Sequence, residues 1–389
     1  MTDFGCSGPR DFILDTANAV NDDGSRKYHL DVQLNTLVTK VRFDRNGTTP
    51  KAVGVEYLQG QSLYAADPRY AAASGTPGYV TAGKEVIVST GAFNTPQLLK
   101  LSGVGPQDEL ESHGIDIVKN LPGVGANLQD RYETGVVGKT NSDFYITKDC
   151  TFGYTNPDPC LETWQNGTTK EGRQVYASNG IAIAITRKSS AASESDDPDL
   201  FISGAPANFP GYYPGFAYEG LKDAQHWTWI ILKARSHNDA GTVKLRSTNP
   251  QDVPQITFNS FDTGNTADNG DEKDLQAVYE AMEFGREAFS KLIPLDGSFT
   301  ETWPGKNVTG DALKTFIKDE AWGHHASCTC KIGSDDDEMA VLDSNFKVRG
   351  VDGLRVVDAS VFPKIPGYYI ALPIYMISEK AADVIINGS

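Results

Sequence analysis

Apolar residues fall into two kinds of pattern along this 389-residue chain: short β-branched alternations and a few longer helical periods. HLDVQLNTLVTKVRF, the turn RNGTTP and the run AVGVEYL read as β structure across residues 29–58. EVIVSTG (85–91) is a short apolar strand ending in glycine, and it runs into AFNTPQLLKLSG, a helical pattern closed by Gly103. Strand, glycine, then helix is the layout of a nucleotide-facing crossover in an α/β sheet. Residues 140–225 read as loop-heavy, with SSAASESDDPD as an exposed stretch. WTWIILKAR (227–235), GTVKLRS (241–247) and PQITFNS (254–260) predict successive strands of an antiparallel sheet. Residues 271–293 predict the clearest helix, because Leu275, Val278, Met282, Phe289 and Leu292 share one apolar face; that stripe reads as core. GLRVVDASVF predicts a strand with a terminal acid. PIYMISEKAADVII predicts a final helix, with Pro373 in its first turn and Ile374, Ile377, Ala381 and Val384 on one face.

The length suffices for two or three domain-sized units, and 39% hydrophobic residues is an ordinary globular mixture. A net charge of −16 repels nucleic acid and anionic membrane, so neither is expected as a partner, and the charge reads first as solubility. No run of about 18 apolar residues appears, so no membrane span is expected. The opening MTDFGCSGPRDF lacks the basic and apolar regions of a signal peptide. Sequons at Asn46, Asn166, Asn307 and Asn387 exceed chance and point to an extracellular, secreted parent protein. Cys150 and Cys160 flank the irregular segment CTFGYTNPDPC, where a closing disulfide and two free thiols are both open.

The densest chemistry lies in WGHHASCTC (322–330). His325, Cys328 and Cys330 could offer three soft metal ligands, but zinc motifs pair ligands as CxxC or HxxxH, and no metal is expected here. A CxC redox pair is equally weak. The bland reading is a buried, hydrogen-bonded histidine pair in a strand. CTC looks like strand, and adjacent strand residues point to opposite faces, so one histidine at most is expected to face a given cavity.

Three spaced segments change this picture. GAFNTPQLLKLSGVG (91–105) resembles the second signature of the glucose–methanol–choline (GMC) family of flavin oxidoreductases, in its secreted fungal type. HASCTCKIG (325–333) resembles that family's H-x-x-x-T-x-x-[MI]-G segment, and residues 353–385 resemble its C-terminal strand and flavin-facing helix. NLPGVGANLQD (120–130) also fits. The resemblance implies a mixed α/β (α+β) fold. A partial, discontinuous FAD-binding domain would span residues 29–133 and 341–389. A substrate-binding domain, an antiparallel sheet backed by helices, would span residues 1–28 and 134–340. The family's opening GxGxxG is absent, since GVGPQD and GVGANL keep only the first two glycines. The resemblance therefore implies a start about a third of the way into a full-length member, as a truncated product, a fragment or one part of a split protein.

Residue by residue, the resemblance places His325 as the catalytic acid/base beside flavin N5. An imidazole, with an ordinary pKa of about 6.5, can accept an alcohol proton near neutral pH. His324 would point away or line the substrate pocket. Tyr369 stands at the second catalytic position, usually histidine or asparagine, and is a poorer base. Val38, Gly91 and Ala92 match adenosine-side contacts with FAD, Asp358 and Ala359 the pyrophosphate and ribityl segment, and Ile370 and Ala371 the turn at the flavin pyrimidine edge. Arg131 stands where many relatives have histidine, and no function is read into it. Cys328 and Cys330 are expected as buried packing residues. The implied activity is oxidation of an alcohol to a carbonyl, with oxygen or a quinone as electron acceptor. The alternatives are a flavin-free, non-catalytic fragment and a non-redox relative, a lyase or light-driven decarboxylase.

Overall fold

The β-branched run after residue 35 folds back on itself through the turn at 45–50 as an antiparallel hairpin. The computed structural model describes residues 8–72, 74–169, 171–193, 197–261, 269–292 and 297–388. The opening hexapeptide with Cys6, residues 194–196 of the expected exposed stretch, and residue 293 at the end of the expected helix lie outside them.

In chain order, α1 (Pro9–Asn18) precedes a three-stranded antiparallel sheet of β1 (Thr36–Asp44), β2 (Lys51–Gln59) and β3 (Thr76–Thr81). Residues 29–35, expected as strand, are irregular. β4 (Val86–Val88) turns at Gly91 into α2 (Gly91–Leu101). The short β5 (Val104–Gly105), α3 (Gln107–Ser112) and β6 (Lys119–Asn120) lead to β7 (Tyr132–Lys139). Then come α4 (Pro159–Asn166), β8 (Ile183–Arg187), β9 (Leu200–Ala205), α5 (Phe216–Leu221), β10 (His226–Lys233), β11 (Thr242–Lys244) and β12 (Gln255–Thr257). The chain ends with α6 (Gly270–Lys291), β13 (Thr300–Trp303), α7 (Asp311–Glu320), β14 (Leu354–Val356) and α8 (Ala371–Asn387).

Five strands form the large antiparallel sheet in the order β13-β7-β10-β9-β8. The expectation that 227–235, 241–247 and 254–260 share one sheet is corrected. β10 joins the large sheet, whereas β11 and β12 pair only with each other. β8 and β9 lie within the stretch read as loop-heavy. α6 covers the large sheet with Leu275, Val278, Met282 and Phe289, all buried. Leu292 ends that stripe at the C-cap and is exposed. Gly285 faces Trp229 and Val136 of the sheet, where a Cβ would make ordinary van der Waals contact at 3.4–3.6 Å. Lys233, buried on β10, reaches Asp199 at 3.2 Å and Asp274 at 3.6 Å, tying sheet to helix.

A second core gathers residues from 41–124 and 330–381, including Val41, Leu99, Val341, Val356 and Ala381. Here β14 pairs parallel with β4. Cys150 and Cys160 are joined by a disulfide that closes the irregular 151–159 loop. All four sequon asparagines are exposed.

Candidate active site

Two ladders of hydrogen bonds hold the histidine segment, and their mismatch shapes the site. Gln129 exchanges backbone bonds with Ser327, and Glu133 exchanges them with Trp322. Four steps separate the anchors on one side and five on the other, so residues 322–327 carry one extra residue, the geometry of a bulge. Gly323 sits in the bulge because a Cβ there would lie 2.6 Å from the Arg131 carbonyl oxygen. The Asp130 carboxylate closes the arch by accepting from the backbone N–H groups of Arg131 at 2.7 Å and His325 at 2.9 Å.

This bulge overturns the expectation that His324 and His325 face opposite ways. Their rings lie 4.3 Å apart at 35°, and the Nδ1 atom of each is 3.3 Å from Glu133 Oε1. The His325 side chain is 7% exposed, that of His324 44% and that of Glu133 5%. The segment 328–330 is not strand either. Cys328 has φ +76°, and Cys328 and Cys330 donate their N–H groups to the carbonyls of Ala359 and Ser360. Both thiols are fully buried, and burial pushes Cys328 up to about 12 and Cys330 further still, so neither is an available thiolate.

Tyr369 presents its ring edge-on to His325, with centroids 5.8 Å apart. Burial, and then the Glu133 charge, raise the phenol above its ordinary value, as they do for Tyr212. Tyr212 packs 4.9 Å from His324, and Phe209 and Trp322 continue the aromatic wall. Arg131 is buried, and its guanidinium donates to the carbonyls of Ala234 and Pro366, clamping the 363–369 loop to the sheet. Burial lowers it to about 10 against the pull of Asp130 and Glu133.

The residues expected at the cofactor gather around the β4–α2 turn and the start of α8. Gly91, at φ +83°, donates its N–H to Asp358 at 2.9 Å, and Thr95 donates its hydroxyl to the same oxygen at 2.6 Å. The other Asp358 oxygen caps the short helix at Ala359–Val361 through the Ser360 N–H. Pro96 has no N–H to offer the Ala92 carbonyl, and Thr329 donates its hydroxyl there instead at 2.7 Å, fastening the histidine segment to α2. Ile370 is the N-cap of α8 and buries its side chain against Cys328, Phe362 and Ile365, while Ala371 is exposed at the first helical position. Val38 lies at a bulge of β1 and lines a cleft of about 400 Å³ with Thr90, Asn94 and Tyr64.

These residues fit the two ends of a flavin nucleotide. The cleft at Val38 has room for an adenosine-sized group, and the start of α8 offers backbone N–H groups with no partner inside the helix. The sequence carries no glycine-rich cradle for the diphosphate between them.

Glu133, Asp130, Gly323 and the aromatic wall were not singled out in the sequence. Glu133 is the lone acid of β7, YETGVVGK, a strand buried at every residue but its last.

The chain matches two parts of the GMC oxidoreductase family, over residues 13–133 and 237–378. It is 34% identical over 370 residues to the mitochondrial choline dehydrogenase of Homo sapiens, covering 92% of this chain and 54% of that protein. Among solved structures it resembles a formate oxidase with TM-score 0.70 at 23% identity, covering 90% of this chain and 59% of that one. It also resembles a fungal aryl-alcohol oxidase with TM-score 0.63 at 22% identity, covering 91% and 60%. The chain spans about half the length of the curated relatives it matches.

Proposed function

Because this chain belongs to the GMC oxidoreductase family, whose members bind FAD, we propose that it carries the acid/base and substrate-facing part of an enzyme that oxidises a small alcohol to a carbonyl. The observation that carries this reading is the buried His325 ring, fixed through its backbone by Asp130 and set edge-on to Tyr369. FAD, when bound, supplies the electron-pair acceptor for oxidation at the carbinol carbon. His325 takes the hydroxyl proton, and its burial keeps bulk water from competing for that role. Tyr369 is held in its protonated form, so it donates a hydrogen bond to the substrate oxygen and does not act as the base. Tyr212, Trp322 and His324 form the wall on which the rest of the alcohol packs. Val38, Gly91 and Ala92 would hold the adenosine side of FAD. Asp358 and Ala359 would flank its middle, and Ile370 and Ala371 its flavin ring.

Relatives named for choline and for aryl alcohols bracket the substrate class, and oxidases among them support oxygen as the acceptor. The test is anaerobic, dark bleaching of the FAD-loaded protein by choline and by benzyl alcohol. Bleaching by either is expected, with His325→Ala slowing it by about a hundredfold or more. Unchanged bleaching in that variant removes His325 from the role. Absence of bleaching in the FAD-loaded parent removes the reaction.

A further inference from the structure

Glu133 Oε1 and His325 Nδ1 are both buried, and neither has a hydrogen-bond partner. They lie 3.3 Å apart, and His324 Nδ1 lies 3.3 Å from the same carboxylate oxygen. An N–H···O bond is about 2.9 Å long and nearly linear, and these contacts satisfy neither condition. A tetrahedral ion with donors at about 2.0–2.1 Å spaces them about 3.3–3.4 Å apart, which both contacts match. Among the described residues these three side chains form one group whose ligand atoms all lie within 4.8 Å of one another.

We propose that Glu133, His324 and His325 form a binding site for a divalent first-row transition-metal ion, with zinc as its representative. Two imidazoles and a carboxylate are a borderline-soft donor set suited to such ions and poor for calcium or magnesium. The buried pair supplies a rigid half of the site. His324, half exposed, supplies the adjustable third ligand and leaves the solvent side open for water. The Arg131 cation lies in the field of both Asp130 and Glu133, so the two acids together carry one negative charge more than the cation offsets. Cys328 and Cys330, the soft ligands suggested by the sequence, take no part, being buried in apolar clusters. A metal on Nδ1 leaves the proton of a neutral His325 ring on Nε2, so the metal-loaded chain could not use this ring as the base. Binding needs neither flavin nor alcohol, and the inference concerns that metal-loaded state alone and is tested apart from the oxidation reading.

The test is equilibrium dialysis of the 389-residue chain against zinc at neutral pH, with bound metal counted by mass spectrometry. About one zinc per chain is expected. Glu133→Gln, which keeps the side chain's shape, and His324→Ala, at a half-exposed position, are each expected to weaken binding by about tenfold or more. His226→Ala, which disrupts a separate histidine–aspartate pair with Asp223, is expected to leave it unchanged. No zinc above buffer level in the parent chain overturns the proposal. So does zinc retained at parental affinity in both site variants.

Discussion

At the scale of single residues, the site is set by one inserted position. Adjacent residues on a regular strand diverge, and that rule fails at His324 and His325 because the anchors on either side are out of step by one. The sequence made His325, Tyr369 and Asp358 legible because each sits in a spaced motif. It hid Glu133, whose partners lie about 190 residues away. Gly323 was equally silent, yet no other residue fits between the Arg131 carbonyl and the Asp130 carboxylate. Gly323→Ala must push the bulge off Asp130 and is expected to lower stability by about 1–3 kcal/mol, the usual cost of overpacking. Denaturant unfolding of variant and parent under the same conditions measures it. A variant as stable as the parent would show that the arch shifts freely.

At the scale of elements, helices with a long single-faced period were readable and strand partnerships were not. α6 and α8 follow their apolar stripes, whereas β10 pairs with β7, about 90 residues earlier, and nothing in WTWIILKAR names that partner. The connection between α2 and α3 is a further case. Lys100, the cation in the last turn of α2, is buried. Its ammonium donates to Glu109 at 2.7 Å and to the Val243 carbonyl at 2.7 Å. Gly125 stays side-chain-free because a Cβ would strike that carbonyl and the Lys100 ammonium, which accounts for one glycine of GVGANL without any nucleotide. Lys100→Met leaves Glu109 without its cation and is expected to cost about 3 kcal/mol. Burial pulls the Lys100 ammonium below its ordinary 10.5, against the pull of Glu109. As pH rises from the lowered folded value to 10.5, the unfolded chain holds more protons at this position than the folded chain. Stability contributed here therefore rises with pH. The parent's margin over Lys100→Met should widen across that window, as read from denaturation midpoints at successive pH values. A margin that narrows would mean that the pull of Glu109 outweighs burial at this ammonium.

At the scale of the whole molecule there are two apolar cores, one drawn from residues 41–124 and 330–381 and one from residues 132–321, and they differ in how fully they are enclosed. The core under α6 is closed by the five-stranded sheet and by α7, which buries Leu313 and Ile317 there. The other rests on a parallel pair, β4 and β14, with Ile87 44% exposed, although parallel strands are ordinarily covered on both faces. α8 buries Ala381 and Val384 inward, yet its opposite face bears Leu372 at 68%, Met376 at 64% and Ile386 at 81% exposure, with Tyr375 beside them. Glu379 and Asp383 are exposed on the same face, so α8 is not apolar all round, but large apolar side chains remain uncovered at both of its ends. The strand and helix patterns were legible in the sequence. Their exposure was not, since it depends on what else packs there. Exposed apolar surface of this extent should bind a hydrophobic dye and favour self-association. The 389-residue chain is expected to enhance anilinonaphthalene sulfonate fluorescence in native buffer. Met376→Glu combined with Ile386→Glu should cut that signal at least about twofold without lowering the unfolding midpoint, because neither side chain contributes to the core. Dye binding that persists undiminished in the double variant would place the exposed surface elsewhere. A fall in the midpoint would mean that this face of α8 is covered in solution.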